Sequence, residues 1–280
     1  MTTILITGAN GFIGSHLLNI LIKNSNYNII AAYRKKKNNI PNKKNIKLIK
    51  IDLQDKKINW FNELEKPDIL IHLAWDFLDN FKSSKHKTDL LKFHYLFLAN
   101  LINYGLKNLI SAGTCLEYGK VNGELSENLY PKPILPYARA KNQLRIKLQN
   151  LQKKNKYNLT WLRLFYIYGK GSNSRIYNDL IKSIKNKNKF FNMSKGDQIR
   201  DFIDISKLCE YIYKIIENKH NNGIVNICSG NPIVLKDLVN EWIKERKSSI
   251  VPNYGYFKYN EYEARSFWGS SRKLNKIISK

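Results

Sequence analysis

Short apolar runs and helix-period segments alternate along this chain from its first residues. Thr2 to Thr7 is a continuous apolar run, the form taken by a strand buried on both faces of a parallel sheet. The turn Gly8-Ala9-Asn10-Gly11-Phe12-Ile13-Gly14 follows, and Ser15 to Lys23 then places Leu17, Leu18, Leu21 and Ile22 at helical spacing. Further strands are expected at Asn28 to Tyr33, Ile46 to Ile51, Asp68 to Leu73, Leu106 to Ser111 and Leu159 to Tyr166. A long helix is expected from about Thr88 to Tyr104, and another opens at Pro136, a residue suited to the first helical turn. Strand and helix repeated with short connections predict an α/β fold, a doubly wound parallel sheet, over residues 1–165. Residues 166–280 read as a smaller α/β part, with some segments returning to the first. Its helices are expected at Ile176 to Lys187, Ser206 to Glu217 and Leu235 to Arg246, and its strands around Phe190, from Gly196 to Ile203 and from Gly223 to Cys228.

Composition agrees with a globular chain: 280 residues, 43% hydrophobic and 12% aromatic. The 48 Lys and Arg outnumber the 22 Asp and Glu, for a net charge of +26. The basic residues are spread over every predicted surface, the densest runs are short (Arg34 to Lys37, Lys43-Lys44), and no basic stripe interleaved with aromatics occurs. No nucleic-acid partner is expected, although the field would draw anionic small molecules. Cys115, Cys209 and Cys228 form no C-x-x-C pair, so neither a disulfide framework nor a metal site is indicated. No apolar run approaches the ~20 residues of a membrane span, and no signal-peptide pattern opens the chain, so a cytoplasmic protein without a membrane partner is expected.

Strand, glycine turn and helix form the context of a dinucleotide fingerprint. Glycines allow a tight turn and close approach to a pyrophosphate, which would sit on the helix N-terminus. Gly8, Asn10, Gly11, Phe12, Ile13 and Gly14 are therefore candidates for the cofactor site, here spaced G-x-x-G-x-x-G, a plain structural turn being the alternative. The second strand ends in Tyr33-Arg34-Lys35-Lys36, with no acid to bind a ribose 2′-hydroxyl. A basic cluster there suits a 2′-phosphate and favours NADP(H), with NAD(H) as the alternative. Ligands in such sheets bind at the carboxyl ends of the strands, where Gly8, Asp52-Leu53, Leu73-Ala74, Thr114 and Tyr168 all fall. Tyr137 and Lys141 lie one turn apart on one helical face, and an ammonium near a phenol favours the phenolate. His72, at a strand end, reads as structural. The aromatic density of the long helix (Phe93, Tyr95, Phe97, Tyr104) fits either core packing or a homodimer contact.

Taken together, these residues resemble the extended short-chain dehydrogenase/reductase family, the NAD(P)-dependent epimerase/dehydratase group that modifies nucleotide sugars. The glycine turn, Asp52-Leu53, His72-Leu73-Ala74, Thr114 four residues before Tyr118-Gly119, Tyr137 with Lys141, Arg163-Leu164-Phe165 before Tyr168-Gly169, and Gly196 to Ile203 occur in the family's order. So does Asn226-Ile227-Cys228-Ser229-Gly230. The resemblance implies a Rossmann domain and a C-terminal part that closes over a nucleotide sugar. It implies Tyr137 as general acid/base, Lys141 holding the nicotinamide ribose and lowering the tyrosine pKa, and Thr114 on the same sugar oxygen. Tyr168 and Arg200 would bind substrate, Arg200 at the diphosphate. The family's 4,6-dehydratases carry Asp-Glu after the threonine; Cys115-Leu116 stands here, which argues against elimination of water, and Glu117 reads as structural. His94 stands about where many relatives have asparagine. The resemblance is nearest to reductases of dTDP- or CDP-linked 4-keto-6-deoxyhexoses, on a route to surface polysaccharide. A C4 epimerase or 4-oxidase with tightly bound NAD is the alternative.

Overall fold

Apolar strands that need burial on both faces set the architecture. The computed structural model describes residues 1–34, 40–41, 43–55, 59–172, 175–218 and 221–279. The first half runs β1 (Thr2–Thr7), α1 (Phe12–Leu21), β2 (Tyr27–Tyr33), β3 (Ile46–Lys50), α2 (Trp60–Glu63) and β4 (Ile69–His72). A π-helical turn, His86–Leu90, leads into α3 (Leu91–Asn103), followed by β5 (Asn108–Ala112) and a 3-10 turn, Cys115–Tyr118. β6 (Gly123–Leu125), α4 (Pro136–Gln152) and β7 (Asn158–Leu164) complete this half. The rest comprises β8 (Tyr166–Tyr168), α5 (Arg175–Lys185), β9 (Phe190–Asn192), β10 (Ile199–Asp204), α6 (Ile205–Asn218), β11 (Gly223–Ile227) and β12 (Pro232–Val234). α7 (Leu235–Glu245), β13 (Val251–Asn253), β14 (Phe267–Gly269) and α8 (Arg272–Ile278) follow.

Seven parallel strands form the main sheet in the order β11-β7-β5-β4-β1-β2-β3. The order reverses between β1 and β4, and crevices for ligands open at such points, outside the carboxyl ends. On one face α1 packs with α6, joining Leu17, Leu18 and Leu21 to Leu208, Ile212 and Ile216, with Leu274 of α8 in the same cluster. On the other face α3 and α4 contribute Phe97, Leu98, Leu101, Leu144 and Leu148 around Trp161. Each buried leucine or isoleucine contributes roughly 2 kcal/mol, so these two layers supply most of the driving force. A separate core around Trp242 holds α5, α7, β9 and β10 together.

The expected strands and long helices are present, within a few residues of their expected bounds. The structure adds β6, β8, β12, β13, β14, α2 and α8, all short. β11 joins the main sheet although it follows the smaller part in sequence.

Candidate active site

The glycine turn is built by close backbone contact. Gly8 has φ 71°, and a Cβ there would lie 2.9 Å from the Ala74 nitrogen. A Cβ on Gly14 would lie 2.2 Å from the Gly8 carbonyl oxygen. Only glycine lets α1 settle onto the turn, and so brings the free N–H groups of its first turn to the β1/β4 crevice. Gly11 caps that helix, and Phe12 and Ile13 pack partly buried against the core. The cradle, which a side chain would fill, and the bare helix N-terminus fit a dinucleotide pyrophosphate.

The other expected cofactor residues follow the carboxyl ends of β2, β3 and β4. Leu73 N–H donates to the Thr7 carbonyl at 3.2 Å, and Ala74 follows at the end of β4. Asp52 lies past β3, its carboxylate accepting from Gln54 N–H at 3.0 Å, and Leu53 packs against the α3/α4 core. Arg34, at the end of β2, makes a two-pronged ion pair with Asp76, Nη1 to Oδ2 at 2.5 Å and Nη2 to Oδ1 at 2.8 Å. Lys35, Lys36 and Lys37, the rest of the expected basic cluster, lie outside the described residues.

Tyr137 and Lys141 stand on the first turns of α4, both buried. The Tyr137 hydroxyl is hydrogen-bonded to the Thr114 side chain. Phe81 stacks on the Tyr137 ring at 4.7 Å between centroids, and Trp75 approaches it edge-on at 6.3 Å. Lys141 Nζ donates to the Ala112 carbonyl at 2.8 Å and sits 3.9 Å from the centre of the Trp75 ring. The expectation that Lys141 lowers the tyrosine pKa is corrected here. Burial pushes the Tyr137 phenol well up, the nearby Glu117 charge adds to this, and the Thr114 hydrogen bond is what opposes it. Burial also pulls the Lys141 ammonium down to about 7, against the raising effect of Glu117.

Glu117 explains how Thr114 is held. It is fully buried. Its Oε1 accepts Thr114 N–H at 3.0 Å and the Trp161 indole N–H at 2.9 Å, and its Oε2 accepts Arg163 Nε–H at 3.1 Å. Thr114 Oγ1 in turn accepts Leu116 N–H, so the two residues cap the 3-10 turn reciprocally. Cys115 is buried and its thiol is pushed up by burial, which makes it a poor proton donor.

His72 is structural, as expected, but within a pair that the sequence did not reveal. Its Nδ1 meets Thr7 Oγ1 at 2.8 Å and its Nε2 meets His94 Nδ1 at 2.8 Å. His94 stacks on Trp75 at 4.2 Å. Burial depresses both histidines, His72 to about 3 and His94 well below its ordinary value.

The expected substrate residues lie in the smaller part. Tyr168 packs against Trp242 at 5.1 Å. Arg200 is buried, donating to the Ile199 and Arg265 carbonyls at 2.9 Å each and to Glu263 at 3.1 Å. In this structure it ties β10 to the 263–265 segment rather than presenting a free guanidinium. A small pocket, with room for about one water, is lined by Cys115, Leu116, Leu135, Tyr262, Glu263 and Phe267. Tyr262, Glu263 and Phe267 belong to the Glu261 to Gly269 tail, one of the segments on which the resemblance to 4-keto-6-deoxyhexose nucleotide reductases rests. Among the described residues no group of His, Cys, Asp and Glu is arranged to hold a metal, and no helix is long and apolar enough to cross a membrane.

Comparison with known proteins agrees with this geometry. The dTDP-6-deoxy-L-talose 4-dehydrogenase (NAD(+)) of Aggregatibacter actinomycetemcomitans is 32% identical, the match covering 95% of this chain and 99% of that protein. The GDP-6-deoxy-D-talose 4-dehydrogenase of the same organism is 25% identical over 81% of this chain and 74% of its own. Among solved structures, the UDP-glucuronic acid 4-epimerase of Bacillus cereus, in complex with UDP-glucuronic acid and NAD, superposes with a TM-score of 0.86 at 24% identity, covering 99% of this chain and 93% of that one. The profile of the NAD dependent epimerase/dehydratase family matches residues 4–228, from β1 to just past β11, the last strand of the main sheet. Sequence and fold agree along nearly the whole length, and the chain belongs to the NAD dependent epimerase/dehydratase family.

Proposed function

We propose that this protein is an NAD(H)-dependent oxidoreductase acting at C4 of a nucleotide-linked 6-deoxyhexose. The observation that carries the reading is the Tyr137 hydroxyl bonded to Thr114, with Lys141 on the same helical face. When bound, the dinucleotide supplies the hydride exchange at the sugar carbon. Tyr137 exchanges the proton of the C4 oxygen, and Thr114 orients that oxygen. Gly8, Gly11, Gly14 and Ala74 hold the cofactor. No carboxylate stands at 115 or 116, which argues against dehydration.

A one-way reductase using NADPH is supported less well than a 4-oxidase using NAD, because the relatives are named as 4-dehydrogenases and the structural neighbour as a 4-epimerase with NAD. A 4-dehydrogenase and a 4-keto reductase perform one hydride exchange in opposite directions, so the reacting carbon is unchanged. The reading places the enzyme in the cytoplasm as a dimer formed through α3, where Leu96 and Tyr104 stay exposed.

The test is incubation with dTDP-, GDP-, CDP- and UDP-linked 6-deoxyhexoses plus NAD, and with their 4-keto forms plus NADH, following nicotinamide absorbance. Net formation or consumption of NADH supports the reading. A C4 epimer formed without net absorbance change would make the protein an epimerase, and no turnover of any sugar would sink both.

A further inference from the structure

The carboxylate facing Arg34 bears on which dinucleotide the crevice accepts. Arg34 directly follows β2, Asp76 lies four residues past β4, and β1 runs between those two strands. Their ion pair therefore spans the carboxyl end of β1, where the glycine turn begins. It is two-pronged, at 2.5 and 2.8 Å, and both side chains are about two-thirds buried, 38% and 36% exposed. Planar guanidinium against carboxylate is the strongest geometry available to such a pair.

We propose that Asp76 is a specificity-determining residue that, by engaging Arg34, selects NAD(H) over NADP(H). This rests on the reading of the β1/β4 crevice as a dinucleotide site. The end of β2 is where the adenosine ribose of a dinucleotide is recognised. A 2′-phosphate arriving there competes with Asp76 for the same guanidinium donors and meets a like charge beside them. A 2′-hydroxyl is neutral and donates a hydrogen bond, which a carboxylate with unused lone pairs accepts. Arg34, read alone in the sequence, points to NADP(H); Arg34 joined to Asp76 points the other way.

The test is the dissociation constants of NADH and NADPH, read by energy transfer from protein fluorescence to the nicotinamide. Wild type, Asp76→Asn and Arg34→Ala are compared, with circular dichroism confirming that each is folded. Wild type should bind NADH more tightly. Asp76→Asn should shift the ratio toward NADPH by about tenfold or more, the effect of removing one charge next to a phosphate. Arg34→Ala should shift it further toward NADH. Opposite shifts from the two variants cannot come from general loosening of the loops. A wild type preferring NADPH, or variants that weaken both forms alike with the ratio unchanged, overturns this inference alone. Binding of neither form by wild type overturns the dinucleotide reading and this inference with it.

Discussion

Glu117 Oε1 lies 3.0 Å from the backbone nitrogen of Thr114, in a position with no solvent exposure. The carboxylate fixes the turn that aims the threonine, and it also neutralises part of the charge of Arg163 and Arg145. Glu117→Ala should therefore destabilise by about 3–5 kcal/mol, because two buried guanidinium groups lose their counter-charge. Glu117→Gln keeps an acceptor for Thr114 and should cost less. Urea unfolding of the two variants checks the order, and a neutral result for alanine would remove the clamp.

Tyr137→Phe should lower turnover by about a hundredfold to ten-thousandfold, the usual contribution of a positioned acid/base. Thr114→Val should cost about a hundredfold. Neither should change dinucleotide affinity much, since the glycine turn is untouched. Steady-state kinetics with parallel NADH titration separates the two effects.

Lys141 carries a stability cost that depends on pH. Its folded pKa is about 7 and its ordinary value 10.5. Below pH 7 both folded and unfolded lysines are charged, and the burial penalty is complete. Between 7 and 10.5 the unfolded chain binds the proton while the folded chain does not, so stability climbs by up to about 1.4 kcal/mol per pH unit. Lys141→Met should be more stable than wild type near pH 7, should lose this climb, and should be impaired in catalysis. Urea midpoints measured across that window give the answer.

The His72–His94 pair predicts the opposite margin. His72 moves from 6.5 unfolded to about 3 folded, and His94 is also depressed. Their neutral forms contribute stability that is complete above pH about 6.5 and is lost as pH falls toward 3, because the unfolded chain takes up the protons first. His72→Asn should flatten the acid limb of a stability–pH curve by about one proton.

Gly14→Ala should destabilise by about 1–3 kcal/mol, since the new Cβ meets the Gly8 carbonyl at 2.2 Å and backbone must move. NADH affinity should fall with it. A thermal melt and a binding titration suffice.

The main sheet was readable because parallel strands buried on both faces write themselves as unbroken apolar runs, as Thr2 to Thr7 does. β6 and β14 were not readable: three residues are too few for any period, and their partners lie far apart in sequence. The same division holds in the site. Tyr137 and Lys141 are a local spacing, whereas the partners of Arg34 and Arg200, Asp76 and Glu263, are set by tertiary contact. Basic residues therefore looked free in the sequence and are paired in the fold. Trp75 and Phe81, which cover Tyr137 and Lys141, stand in a loop whose path no pattern specifies.

The late arrival of α6, β11 and α8 has a bearing on synthesis. Leu17, Leu18 and Leu21 of α1 finish their packing only with Leu208, Ile212, Ile216 and Leu274. A chain emerging from the ribosome thus carries one oily flank of its sheet uncovered until α6 and α8 have left the exit tunnel. A nascent polypeptide of this design gains full cooperativity only once those helices have emerged, and that interval of exposure is when chaperone protection matters most.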